Sequence, residues 1–164
     1  MKKLLTLVLI YFWFHLVNAQ LTFKAQTGVG YLEHFTTGIG VEFSNKHQLS
    51  LLYGSNFFYK TSDFSSLLLQ YDCKFNKLNF NGFTPKLGIK GGYSVYTNAY
   101  YRWNVLMLVP FVGVNRPLSK KLDLAFDLGL AVSHELSLER ISYGEFGTYR
   151  KYLPEVKIGL LYTL

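Results

Sequence analysis

The chain has 164 residues, 18 % of them aromatic, with 17 Lys and Arg against 10 Asp and Glu. That length suits a single domain, and the lone cysteine, Cys73, excludes an internal disulfide and a cysteine-based metal cluster. The basic excess is scattered along the chain, which argues against a nucleic-acid surface and leaves an acidic surface such as lipid phosphate, or plain solvation, as its use.

Residues 1–19 read as a cleavable signal peptide. Lys2 and Lys3 form a positive start, Leu4 to Val17 is apolar apart from Thr6 and His15, and Val17-Asn18-Ala19 offers small residues where a signal peptidase reads. The apolar run is too short for a membrane-spanning helix, which needs about 20 residues. No cysteine follows it, so the lipoprotein route is not expected. Taking Lys2 and Lys3 away leaves 15 basic residues against 10 acidic ones, a net charge of +5 on 20–164.

From residue 20 onward no helical period is sustained. Apolar and polar residues alternate instead, in runs of about ten residues broken by turn chemistry. The first run places Leu21, Phe23, Ala25, Thr27, Val29 and Tyr31 on one phase, and the second places Thr37, Ile39, Val41 and Phe43. The third runs from Leu49 to Tyr59, the fourth from Leu67 to Phe75 and the fifth from Pro85 to Val95. A sixth strand, about Leu106 to Asn115, is apolar on both phases, so its faces stay unassigned. The seventh runs from Leu122 to Val132 and the last from Pro154 to Leu164. Ser44 to His47, Asn76 to Gly82 and Asn115 to Lys121 read as fairly short turns. Tyr59 to Phe64, Tyr96 to Asn104 and Glu135 to Tyr149 read as longer, more aromatic loops. Short turns on one side and longer loops on the other are the habit of transmembrane barrels. Eight strands would put both termini on the short-turn, periplasmic side.

The seven assignable apolar phases carry no charge at all. The opposite phase carries Lys24, Glu42, Asp72, Lys74, Lys86, Lys90, Asp123, Asp127, Glu155 and Lys157, together with many Gly, Ser and Ala. Volume decides which phase points inward. An eight-stranded barrel has room inside only for side chains that just fill it, so the bulky apolar phase belongs outside and the small and polar one inside. Lipid explains the ban on outward charge, since Lys or Arg at the bilayer midplane costs about 2–4 kcal/mol. The expected fold is therefore all-β: a single closed antiparallel up-and-down transmembrane β-barrel of about eight strands over 20–164. Tyr31, Phe35, Phe57, Tyr59, Phe64, Tyr96, Tyr100, Tyr101, Trp103 and Tyr149 would mark one interfacial rim, and Phe23, Phe43, Phe75, Phe83 and Tyr162 the other.

In this pattern the chain resembles the small bacterial outer-membrane β-barrel protein family. The sharpest element is the final alternation Val156, Ile158, Leu160, Tyr162, Leu164, which ends in Leu where members of that family usually end in Phe. The resemblance implies a Gram-negative envelope, residence in the cell outer membrane among its lipids, and insertion by the barrel-assembly machinery through the C-terminal strand.

Five lysines and five acids on the inward phase cancel, which reads as a plug of ion pairs rather than a selective pore, where one sign would dominate. A narrow channel for small solutes is the alternative, and a soluble lipocalin-like ligand-binding barrel a further one. No catalytic or metal site is expected, and no cofactor. Ser133, His134 and Glu135 are neighbours on a strand and so point to opposite faces. Tyr100, Tyr101, Arg102 and Trp103 form the most suggestive exposed segment. Residues of these types serve equally for recognition and for interfacial anchoring. Nothing in the sequence names a surface partner.

Overall fold

The computed structural model describes residues 21–31, 34–56, 62–142 and 151–164. The expected signal peptide lies outside the described residues, as do Phe57, Tyr59 and Tyr149 of the expected aromatic rim. Eight strands follow in order: β1 (Leu21–Gly30), β2 (His34–Phe43), β3 (His47–Ser55), β4 (Ser62–Lys74), β5 (Thr84–Asn98), β6 (Tyr101–Pro117), β7 (Leu122–Arg140) and β8 (Tyr152–Thr163). Each pairs antiparallel with its sequence neighbours, and β1 pairs with β8 to close the barrel. Closure leaves the ladders no free edge, so the backbone can cross lipid with its N–H and C=O groups satisfied.

Two of the turns on the terminal side are built by residues that tolerate positive φ. Ser44 (φ 57°) and Asn45 (φ 52°) join β2 to β3. Asn81 (φ 50°) and Gly82 (φ 84°) close the small Phe80–Phe83 bridge between β4 and β5. Both pairs carry the backbone signature that a two-residue hairpin turn needs to match the strand twist.

The facing agrees with the volume argument. Phe23 and Ile39 are 58 % and 65 % exposed, and Val29, Leu51, Leu67, Leu128 and Ile158 are exposed with them. The opposite phase is buried inside. Inward glycines sit across from large partners: Gly38 from Leu52, Gly92 from Leu68, and Gly129 from Phe111. A Cβ on Gly92 would come within 2.9 Å of the Leu68 Cα, so this wall accepts no side chain. Small against large is how a narrow lumen fills.

Three features differ from the sequence reading. The sixth strand resolves into two faces, with Leu106, Leu108 and Val112 outward and Val105, Met107, Val109 and Phe111 inward. The segment Tyr96 to Asn104 is not a loop. β5 and β6 stay paired up to Thr97↔Arg102 and turn at residues 99–100, because the Asn98 side chain accepts hydrogen bonds from the backbone N–H of Tyr100 (2.9 Å) and Tyr101 (2.8 Å). Residues Glu135 to Arg140, also expected in a loop, continue β7 as far as the pair Tyr101↔Arg140. Connection length therefore does not separate the two ends as expected: residues 99–100 form the shortest connection at the loop end, whereas residues 75–83 join β4 to β5 at the turn end.

Candidate functional site in the barrel lumen

Period-2 alternation delivers the ionic residues to one interior, from six different strands. At the terminal end, Lys24 Nζ on β1 lies 2.9 Å from Glu42 Oε2 on β2 and 3.6 Å from Asp123 Oδ2 on β7. Lys74 on β4 donates to the same Glu42 oxygen. At mid-height Lys86 Nζ on β5 lies 2.7 Å from Asp127 Oδ1 on β7 and 4.0 Å from Asp72 Oδ2 on β4. Gln70 Nε2 donates to both Asp72 oxygens at 3.0 and 3.1 Å, and Lys86 also lies 5.5 Å from the Phe111 ring centre. Higher still, Lys90 Nζ on β5 donates to Glu155 Oε1 on β8 at 2.9 Å. Lys157 lies against the inward glycines of β1, its Cε 3.0 Å from where a Cβ on Gly28 would stand.

Nine of the ten residues expected in this network thus occur in these ion pairs, and Lys157 is buried beside them. Most of the pairs join strands that are not neighbours in the sheet: β2 with β4, β1 with β7, β5 with β7, and β5 with β8. They act as struts across the lumen. A void lined by Gln26, Gln70, Lys86, Asp127 and Lys157 has a volume of about 10 Å³, room for roughly one water.

Two parts of this interior escaped the sequence reading. Gln26, Gln48, Gln70, Thr36 and Asn115 are buried polar lumen residues, and Gln48 Nε2 donates to Ser50 Oγ at 3.0 Å. Towards the loop end the lumen turns apolar. Leu52, Leu68, Met107, Val109 and Ala131 form one cluster, with Leu153 against it. Tyr101, Trp103 and Val105 form a second. The signal for this collar was present in the odd-numbered apolar run from Tyr101 to Phe111, but from Leu106 onward the even phase of the same strand is apolar too and masked it.

Tyr100, Tyr101, Arg102 and Trp103 part company in the structure. Tyr100 and Arg102 are exposed, whereas Tyr101 is 1 % and Trp103 6 % exposed, turned into the barrel mouth. The Tyr101 and Trp103 rings are 5.4 Å apart, and the Tyr96 ring also stands 5.4 Å from Trp103. Ser133 is buried and His134 and Glu135 are exposed, so the three diverge as neighbours on a strand must. His47 stacks between Phe43 and Tyr71, its Nδ1 2.8 Å from the Tyr71 hydroxyl. Among the described residues no group of three or more His, Cys, Asp or Glu side chains is placed to hold a metal ion.

No family model matches the chain, and no curated protein matches it in sequence. Solved structures do. Neisserial surface protein A is 12 % identical over 89 % of this chain and 96 % of its own, with a TM-score of 0.53. A major outer membrane protein of Thermus thermophilus is 15 % identical over 88 % of this chain and 100 % of its own, with a TM-score of 0.54. A de novo designed transmembrane β-barrel is 18 % identical over 87 % of this chain and 95 % of its own, with a TM-score of 0.52. Identities this low speak for the fold alone. With eight closed strands, an apolar outer wall and a polar interior, this chain is by fold a small β-barrel of the outer-membrane kind.

Proposed function

We propose that residues 20–164 form an integral outer-membrane protein, exported by the cleavable segment 1–19, whose role is non-enzymatic: structural, surface-interacting or envelope-maintaining. Its lumen is a strut rather than a passage. The observation that carries this reading is the pairing of lumen charges across the barrel, Lys90–Glu155 above Lys86–Asp127 above Lys74–Glu42. A conducting pore needs a wetted path with binding weak enough for ions to leave. Here an apolar collar and ion pairs occupy the interior instead. The outward belt of Leu, Ile, Val and Phe supports residence among outer-membrane lipids. The lipid-facing alternation of Val156, Ile158, Leu160, Tyr162 and Leu164 supports delivery by the barrel-assembly machinery through β8.

Single-channel recording in a planar bilayer tests the closed lumen. Purified barrel should give no steady conductance steps. Steady conductance from the unmodified barrel would establish the narrow-channel reading instead.

A further inference from the structure

The positive charge of this barrel is unevenly placed. Among the described residues the lumen carries five cations and five carboxylates, and the loop end carries Arg102, Arg140 and Lys151 against Asp63, Glu135 and Glu139. Both sets cancel. Among the described residues the excess lies at the turn end, on Lys46, Lys77, Arg116, Lys120 and Lys121, each exposed. No exposed side-chain carboxylate accompanies them among the described residues. The acids nearest that end, Glu42 and Asp123, are engaged inside by Lys24 and Lys74.

These cations are interleaved with exposed apolar residues. The β4–β5 connection presents Phe75, Leu78, Phe80 and Phe83 around Lys77, and the β6–β7 turn presents Leu118 beside Lys120. Arg116 lies over the Phe83 ring at 5.0 Å, and Lys121 over the Tyr162 ring at 5.8 Å. Both rings belong to the lipid-facing rim, so these two cations stand at the level where hydrocarbon gives way to headgroups. A soluble acidic partner would call for the charges alone. Charge mixed with exposed Leu and Phe fits a surface that is anionic at its face and apolar beneath it.

We infer that the turn end of the barrel is a binding surface for the phosphate headgroups of anionic phospholipid in the leaflet around it. The inference rests on the reading of the chain as a membrane-embedded barrel, and it adds a lipid class and a side. Each cation near an anionic membrane surface is worth about fivefold in affinity.

Native mass spectrometry of the detergent-solubilised, folded barrel, titrated with phosphatidylglycerol or with phosphatidylcholine of the same chains, tests it. At least roughly tenfold tighter binding of phosphatidylglycerol is expected, weakening as ionic strength rises. Combined Lys46→Gln, Lys77→Gln, Arg116→Gln, Lys120→Gln and Lys121→Gln should abolish the preference, whereas Arg102→Gln, Arg140→Gln and Lys151→Gln together should leave it intact. Equal binding of the two lipids by the unmodified barrel would overturn the inference, and that result needs no variant to fold. So would loss of the preference in the loop-end variant only, or full competition by soluble glycerol phosphate, which would mark a site for free phosphate. Failure of the embedded-barrel reading shows separately, as release of the protein from membranes by carbonate.

Discussion

Glu42 receives Lys24 and Lys74 from two other strands, and Lys90 reaches Glu155 across the lumen. For such residues, removing one partner is worse than removing both. Glu155→Leu takes the carboxylate at 2.9 Å from a cation that is only 2 % exposed, and should cost about 3–5 kcal/mol. Lys90→Met combined with Glu155→Leu should recover most of that loss. Urea unfolding of the barrel in lipid vesicles, followed by gel mobility, checks both. On the outer wall the same assay should show Ile39→Arg costing about 2–4 kcal/mol. No loss there would mean that Ile39 faces water. The ten ionic lumen residues were legible in sequence because alternation separates them from every apolar position. Their partners were not legible, because pairing depends on barrel closure and register, which no local spacing encodes. Lys86 thus meets Asp127, 41 positions further along the chain.

Strand length varies around the barrel. β1, β2 and β3 have 10, 10 and 9 residues, the length that a tilted strand needs to cross hydrocarbon. β5, β6 and β7 have 15, 17 and 19, so their surplus stands beyond the membrane at the loop end. The outer face changes character there. Tyr93 donates to Asn104 Oδ1 at 2.6 Å, and Asn104 donates to Ser137 at 2.7 Å, making a polar rung across the three strands. Just inside that rung the β6–β7 register shifts between Asn104 and Val105, where an extra residue on β7 alters the alternation. This is why residues 96–104 and 135–140 read as loops: aromatic and charged residues replace the apolar phase once the strands leave lipid. Asn98 fixes the tip of this extension. Asn98→Ala should remove the acceptor of two backbone donors and cost about 1 kcal/mol locally. Hydrogen exchange at the Tyr100 and Tyr101 amides should quicken while the protection of β1 to β4 stays unchanged.

For the whole molecule, fold and facing followed from one physical conflict: too much apolar volume for an eight-stranded interior. Residue size and alternation alone set that conflict, which is why the barrel was legible and the sixth strand, apolar on both phases, was not. The same strand supplies Met107 and Val109 to one apolar cluster inside the barrel and Tyr101, Trp103 and Val105 to the other. A closed barrel with this apolar outer wall belongs in lipid. The measurement that tests this most directly is gel mobility of the membrane fraction before and after boiling, with a carbonate wash beforehand. The unboiled band should run faster than the boiled one and survive the wash. A protein found in the soluble fraction, with no change of mobility on boiling, would contradict it.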